Sequence, residues 1–338
     1  MKALGTLITL LFILALAGAG AGYIWFQDSV TRPGPMAEDT VFTVNPGETL
    51  VSVASRAEAA GIIRDDRVLR LHARLQDQET AIKVGEFALP AEISVQEFLT
   101  RLVAGDVVQY TITIPEGLTT EQIARRLEAD ERLEGPLPEP LPPEGSLLPE
   151  TYAFTSGTTR TGLLERMEAE QDRLIERLWP ERADDLPIST PEEAIILASV
   201  VQKEASGQTE YGPVASVFIN RLNFPMRLQS DPTVIYGVSK GEPLYNSRGE
   251  RRTLYRSELD RDTPWNTYTR DGLPETPIAS PGRGAIEGVL NPPETNYYYF
   301  VADGTGGHVF ARTHNEHIRN VAAYRDYERQ EIARERSN

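Results

Sequence analysis

Leu4 to Phe26 runs for 23 residues without a charged side chain. As a helix rising 1.5 Å per residue it is about 34 Å long. That is enough to cross a hydrocarbon core of about 30 Å. Lys2 precedes the run, and Tyr23 and Trp25 stand at its far end like an interfacial belt. The pattern predicts a single-pass anchor in the cell inner (cytoplasmic) membrane over residues 1–26, with the remainder on the extracytoplasmic, periplasmic side. A cleaved signal peptide is the competing reading, because Ala17-Gly18-Ala19-Gly20-Ala21 offers small-residue cleavage sites. Against it, the run exceeds the roughly 7–15 apolar residues of a signal sequence and ends in aromatics.

The remaining length suits about two soluble domains. Lys and Arg number 34 against 50 Asp and Glu, a net charge of −16. Such a chain exerts no bulk attraction on nucleic acid, so none is expected as a partner. Without cysteine there is no disulfide, thiol nucleophile or thiolate metal site. Four histidines are few for a metalloenzyme, and no metal or cofactor is expected. Neither a phosphate-binding Gly-rich loop with its lysine, nor G-x-S-x-G, nor H-E-x-x-H occurs.

Residues 27–40 are polar and contain Pro and Gly, as in a tether. Val41–Val44 favour a strand, Asn45-Pro46-Gly47 a turn, and Leu50, Val53 and Ala54 share a helical face beginning near Thr49. A short amphipathic helix starts at Ser94. The strand-turn-helix pattern returns at Thr111–Ile114, followed by a helix that Thr120 can cap. Six prolines between 134 and 149 exclude a regular helix or central strand and suggest an extended surface connection. Thr161 to about Trp179 is helical in pattern, Tyr297–Ala302 is a strand candidate, and a polar helix runs from His314 to about Arg336.

The helix expected over Thr190–Ser206 is the most informative. Thr190 and Glu193 have capping-box spacing, with Pro191 at the first helical position. Ala194–Val201 is almost wholly apolar, so this helix should be buried on most sides. Glu204 falls on the apolar stripe in the last turn. Desolvation there favours its neutral acid, and the negative helix C-terminus acts in the same direction. A carboxylic acid protonated at neutral pH is what a general acid for a glycosidic oxygen requires. Alternatively, Glu204 emerges into solvent or pairs with a buried arginine. Downstream, Asn220, Gln229, Ser230, Asp231, Thr233 and Tyr236 can bind hydroxyl and acetamido groups. Trp265, Tyr268 and Tyr297–Tyr299 offer aromatic faces for sugars.

Several blocks resemble the YceG-like (MltG) endolytic murein transglycosylase family. They are Glu144–Tyr152, Ile196-Leu-Ala-Ser-Val-Val-Gln-Lys-Glu-Ala-Ser206, Val214–Leu222, Met226–Gly237, Asn266-Thr-Tyr268, Gly272–Pro274 with Pro277-Ile278, and Tyr299–Phe310. Phe42–Ala54 is similar to the opening of a LysM peptidoglycan-binding module. The resemblance implies an α+β protein: anchor 1–26, tether 27–40, small LysM-like α/β module 41–108, larger catalytic domain 109–330 and polar tail 331–338. It implies cleavage of the MurNAc–GlcNAc bond of nascent peptidoglycan strands beside peptidoglycan synthases (penicillin-binding proteins), leaving 1,6-anhydro ends and limiting strand length. The family's catalytic glutamate maps to Glu204. Many relatives carry a second Glu where Gln202 stands, and often have Asn and Asp at the positions of Ser280 and Glu150. The low count of catalytic carboxylates fits, because the substrate's own C6 hydroxyl is the nucleophile. Asp231 is expected to accept backbone N–H groups of the turn it begins. With Asp231 as a second carboxylate the chain would be a hydrolytic muramidase; a non-catalytic glycan-binding scaffold is the third reading.

Overall fold

The computed structural model describes residues 2–335. It divides into two compact units: the chain up to Thr111 together with Ala153–Gly157, and Ile112–Tyr152 together with the chain from Thr158 onward. Ala153–Gly157 thus belongs with the first unit, although it falls inside the 109–330 range expected for the catalytic domain.

In the first unit, α1 (Lys2–Thr31) is the one helix among the described residues long and apolar enough to cross a membrane. Its side chains are exposed from Leu4 to Trp25. Phe26, Ser29 and Val30 are instead buried in the unit. The tether expected from residue 27 therefore begins later, because Val30 has a core to enter and holds the helix together to Thr31. β1 (Thr40–Val44), α2 (Leu50–Ala59), α3 (Asp66–Leu75), β2 (Gly85–Leu89) and α4 (Val95–Ala104) follow. β1 and β2 pair antiparallel with Phe42 opposite Phe87. Thr49 and Ser94 cap α2 and α4, each accepting a backbone N–H three residues on. Gly105 ends α4 at φ 75°, a left-handed conformation that suits glycine. Val53, Ala54, Leu69, Phe87, Phe98 and Leu102 form the centre of the core.

The second unit begins within β3 (Tyr110–Thr113), which pairs with a later strand. α5 (Thr120–Glu128) is capped by Thr119, one residue before the expected Thr120, with Gln122 completing a capping box. Residues 134–149 form no helix or strand, but Leu147 and Leu148 are buried, so the segment's end is core rather than surface connection. β4 (Thr151–Phe154), partner of β3, precedes α6 (Arg160–Leu178) and α7 (Pro191–Glu204). α8 (Tyr211–Asn223), α9 (Asp231–Ser239), α10 (Arg256–Leu259) and α11 (Arg283–Leu290) come next. A hairpin of β5 (Tyr299–Ala302) and β6 (His308–Ala311) leads into α12 (His314–Glu335).

α7 is the axis of this unit. Leu197, Ala198, Val200 and Val201 are fully buried, packed with Val214, Ala215 and Phe218 of α8 and with Ile286, Val289 and Leu290 of α11. Gly284 and Gly288 let α11 lie against the start of α8: a Cβ on Gly288 would stand 3.0 Å from the Tyr211 backbone. This packing fixes the C-terminal end of α7, where Glu204 emerges.

Candidate active site

Glu204 is the last residue of α7; Ala205 after it is extended (φ −68°, ψ 139°). The apolar stripe carries its side chain into the packed interior, and the helix end opens it onto a cleft. The cleft holds about 510 Å³ and is lined by Glu204, Arg221, Gln229, Asp231, Tyr268, Tyr299, His314 and His317, with Phe218, Phe300, Val301 and Val321. Burial pushes the Glu204 carboxyl up to about 7, and the negative charge of Asp231 acts in the same sense. A hydrogen bond from Ser230 Oγ and the charges of His308 and Arg221 oppose the rise without cancelling it. Glu204 is partly buried at the cleft wall and bonded to Ser230 rather than free in solvent. No ion pair joins it to a neighbouring arginine among the described residues.

Ser230 is the group that touches Glu204: its Oγ donates to Oε1 at 2.6 Å. Ser230 is 1% exposed and precedes α9. Its N–H donates to Thr267 Oγ1 at 2.9 Å, and Thr233 Oγ1 donates to its carbonyl at 2.6 Å. Gln229, just before it, is held at φ 50°, a conformation that costs a non-glycine residue about 1–3 kcal/mol. The N–H of Gln229 donates to the Thr267 carbonyl at 3.1 Å. The chain therefore bends sharply at the one place that aims a hydroxyl at Glu204.

Asp231 is the first residue of α9, exposed and facing the cleft. It does not cap its own turn as expected. Its Oδ1 instead accepts the Tyr268 hydroxyl at 2.6 Å. Burial first, and then this carboxylate, push the Tyr268 phenol well above its ordinary range. Tyr268 is positioned by Asn266, whose Oδ1 accepts the Tyr268 N–H at 2.8 Å and whose Nδ2 donates to the Leu259 and Arg261 carbonyls.

Of the residues singled out from the sequence, Glu204, Gln229, Asp231, Tyr268 and Tyr299 meet in the cleft, with Ser230 directly behind. Three of the polar candidates are placed elsewhere, and Trp265, Tyr297 and Tyr298 do not line the cleft. Asn220 Nδ2 donates to the carbonyls of Thr295 and Tyr297 at 3.0 and 2.9 Å, bracing the strand that follows. Thr233 is fully buried and serves Ser230. The Tyr236 hydroxyl donates to Glu144 Oε2 at 3.1 Å, and its ring meets Trp265 edge-on at 5.3 Å beside a separate crevice. Polar residue type alone made these look like sugar ligands; backbone acceptors and one buried carboxylate claim them. Gln202 is equally committed, donating to the Tyr211 hydroxyl at 2.8 Å and accepting the Gly282 N–H at 2.9 Å. Ser280 is fully buried and Glu150 is exposed; neither lines the cleft.

Arg221, His314 and His317 were not singled out as site residues, yet they line the cleft. Arg221 is buried, donates from Nε to the Tyr298 carbonyl at 2.7 Å, and lies 5.6 Å from the centre of the Tyr299 ring. Its place in the Val214–Leu222 block was the available signal. The Tyr299 ring also stacks on His317 at 5.2 Å. Among the described residues no group of three or more His, Asp or Glu side chains could hold a metal ion.

The YceG-like family profile matches residues 42–323. The chain is 29% identical over 364 residues to an endolytic murein transglycosylase of Streptococcus pneumoniae serotype 2 (strain D39 / NCTC 7466), a match covering 94% of this chain and 64% of the relative's length. It is 27% identical over 326 residues to an endolytic murein transglycosylase of Bacillus subtilis (strain 168), covering 86% and 87%. A crystal structure of a yceG-like protein from Listeria monocytogenes superposes with a TM-score of 0.50 at 24% identity, covering 83% of this chain and 98% of that one, and shows the same fold. A profile that spans most of the chain, with Glu204 and its cleft inside the matched range, settles its kinship: the chain belongs to the YceG-like family.

Proposed function

We propose that the chain is an endolytic lytic transglycosylase of peptidoglycan, anchored in the inner membrane by α1 with its catalytic unit outside. The named relatives support the substrate class. The observation that carries the mechanism is the Glu204 carboxyl, raised to about 7 and held by Ser230 Oγ in an open cleft. At neutral pH about half of such groups carry a proton. Glu204 donates it to the glycosidic oxygen as the bond to C1 of MurNAc breaks. The resulting carboxylate then takes the proton of the C6 hydroxyl as that oxygen closes on C1. The product is a 1,6-anhydro end; no water enters. An intramolecular attack of this kind gains from high effective molarity. Asp231, the other carboxylate lining the cleft, is engaged by Tyr268 and shapes the binding wall together with Gln229.

Within the first unit, β1, α2, α3 and β2 support reading it as a LysM-like glycan-binding module. Peptidoglycan synthases remain the proposed partners. Glu204→Gln tests the assignment, since it cannot donate the proton. Cleavage of purified glycan strands should fall by about 10²–10⁴-fold with folding intact. Retention of more than a tenth of the activity would remove Glu204 from the reaction. Gln202→Ala should cost much less, as its amide only braces Tyr211 and Gly282.

A further inference from the structure

The end of α1 and the helix α3 lie side by side in the same unit, and their contacts fix a direction. Arg64 Nη2 donates to the Pro33 carbonyl at 3.3 Å. Ser29 and Val68 line one small cavity, together with Trp25 and Arg32. The Phe26 and His72 rings stand 6.4 Å apart. Each step down α1 toward the apolar span is thus matched by a step along α3 toward its C-terminus. Continued at the same rise of about 1.5 Å per residue, three residues beyond His72 bring Leu75 to the height of Tyr23. Tyr23 lies in the exposed apolar stretch of α1, and Leu75 itself is 64% exposed. Leu71, one turn back, is also exposed. α3 carries Arg67, Arg70 and Arg74; Arg70 pairs with Asp66 at 3.0 Å and Arg74 with Glu79 at 3.1 Å, and Arg74 is exposed.

We propose that the C-terminal half of α3 seats on the extracytoplasmic leaflet of the membrane that α1 spans. Leu71 and Leu75 enter the acyl boundary, and Arg74, in the last turn, turns its guanidinium from Glu79 to a lipid phosphate. The inference rests on reading α1 as an anchor. The occupant follows from that reading: Phe26 and Val30 are core residues of the unit carrying α3, so no flexible tether lifts α3 away from the bilayer. An apolar side chain level with Tyr23 meets lipid rather than water. Arginine suits the boundary, with its apolar stem in the interface and its guanidinium on phosphate.

The absence of cysteine makes the test direct. Single variants Gly22→Cys, Arg67→Cys and Leu75→Cys of the full chain are labelled with a fluorophore. Each is reconstituted into vesicles of phosphatidylethanolamine and phosphatidylglycerol carrying a nitroxide-labelled lipid. All three positions are exposed, and a Cβ at Gly22 meets nothing within 4 Å. Positions 67 and 75 are separated by about 12 Å along the helix. Quenching at 22, with quenching at 75 several-fold stronger than at 67, is the expected result. Quenching at 22 with 75 no stronger than 67 would overturn the proposal while leaving the anchor standing. A label at 22 that escapes quenching would remove the anchor and the proposal with it.

Discussion

Glu204→Gln should make the folded chain more stable in alkali while it disables the reaction. The folded state raises this carboxyl from 4.5 to about 7. At about 1.36 kcal/mol per unit, the ionised form disfavours folding by about 3 kcal/mol. The sign follows from the folded state holding the proton more tightly than the unfolded chain. The contribution of the protonated acid is fully present below about pH 4.5, declines as pH rises, and is lost above about pH 7. Gln is neutral throughout, and its Oε1 can still accept from Ser230 Oγ. The stability gained by the variant should therefore grow from near zero at pH 4 to about 3 kcal/mol at pH 8. For a unit of this size that corresponds to about 6–12 °C in midpoint. Thermal unfolding of both proteins from pH 4 to pH 8 measures the difference. A variant that is no more stable at pH 8, or equally more stable at every pH, would refute the claim that burial of this carboxyl sets its proton affinity.

The same proton affinity shapes activity: the rate of glycan cleavage should fall as pH rises through about 7, because the acid form is lost. Ser230→Ala removes a bond that favours the carboxylate, so the alkaline fall should move to higher pH. Asp231→Asn removes a charge that favours the acid, so the fall should move to lower pH, with partial activity and unchanged product; a shift upward contradicts the electrostatics. Trimming the chain to begin at Phe26 should leave the first unit folded. Beginning it at Gly34 deletes the buried Phe26 and Val30 and should cost about 2–5 kcal/mol, read by thermal unfolding.

The sequence carried the helices that cap themselves. Thr49, Ser94 and Thr190 each accept a backbone N–H at the start of the helix they were expected to begin. Glu204 was legible because its burial follows from helical spacing alone. What the spacing could not show was which polar atoms are already spent. Asn220, Thr233 and Tyr236 look like Gln229 and Tyr268 on paper. Only the fold brings the carbonyls of Thr295 and Tyr297, or the carboxyl of Glu144, within their reach. The far wall of the cleft was missed for a related reason. His314 and His317 lie more than a hundred residues from Glu204, on a helix whose pattern is largely polar. The tether failed where a boundary drawn on charge stopped one turn short of Val30, a residue whose burial depends on a core built later in the chain.

Whether the substrate's own hydroxyl or water displaces the leaving sugar at Glu204 decides the mechanism. Digestion of purified glycan strands in ¹⁸O-labelled water, followed by mass spectrometry of the new ends, tests it most directly. 1,6-Anhydro-MurNAc ends with no label are the expected result. Reducing ends that carry the labelled oxygen would make water the nucleophile, turn Asp231 into the second carboxylate of a hydrolase, and contradict the transglycosylase mechanism.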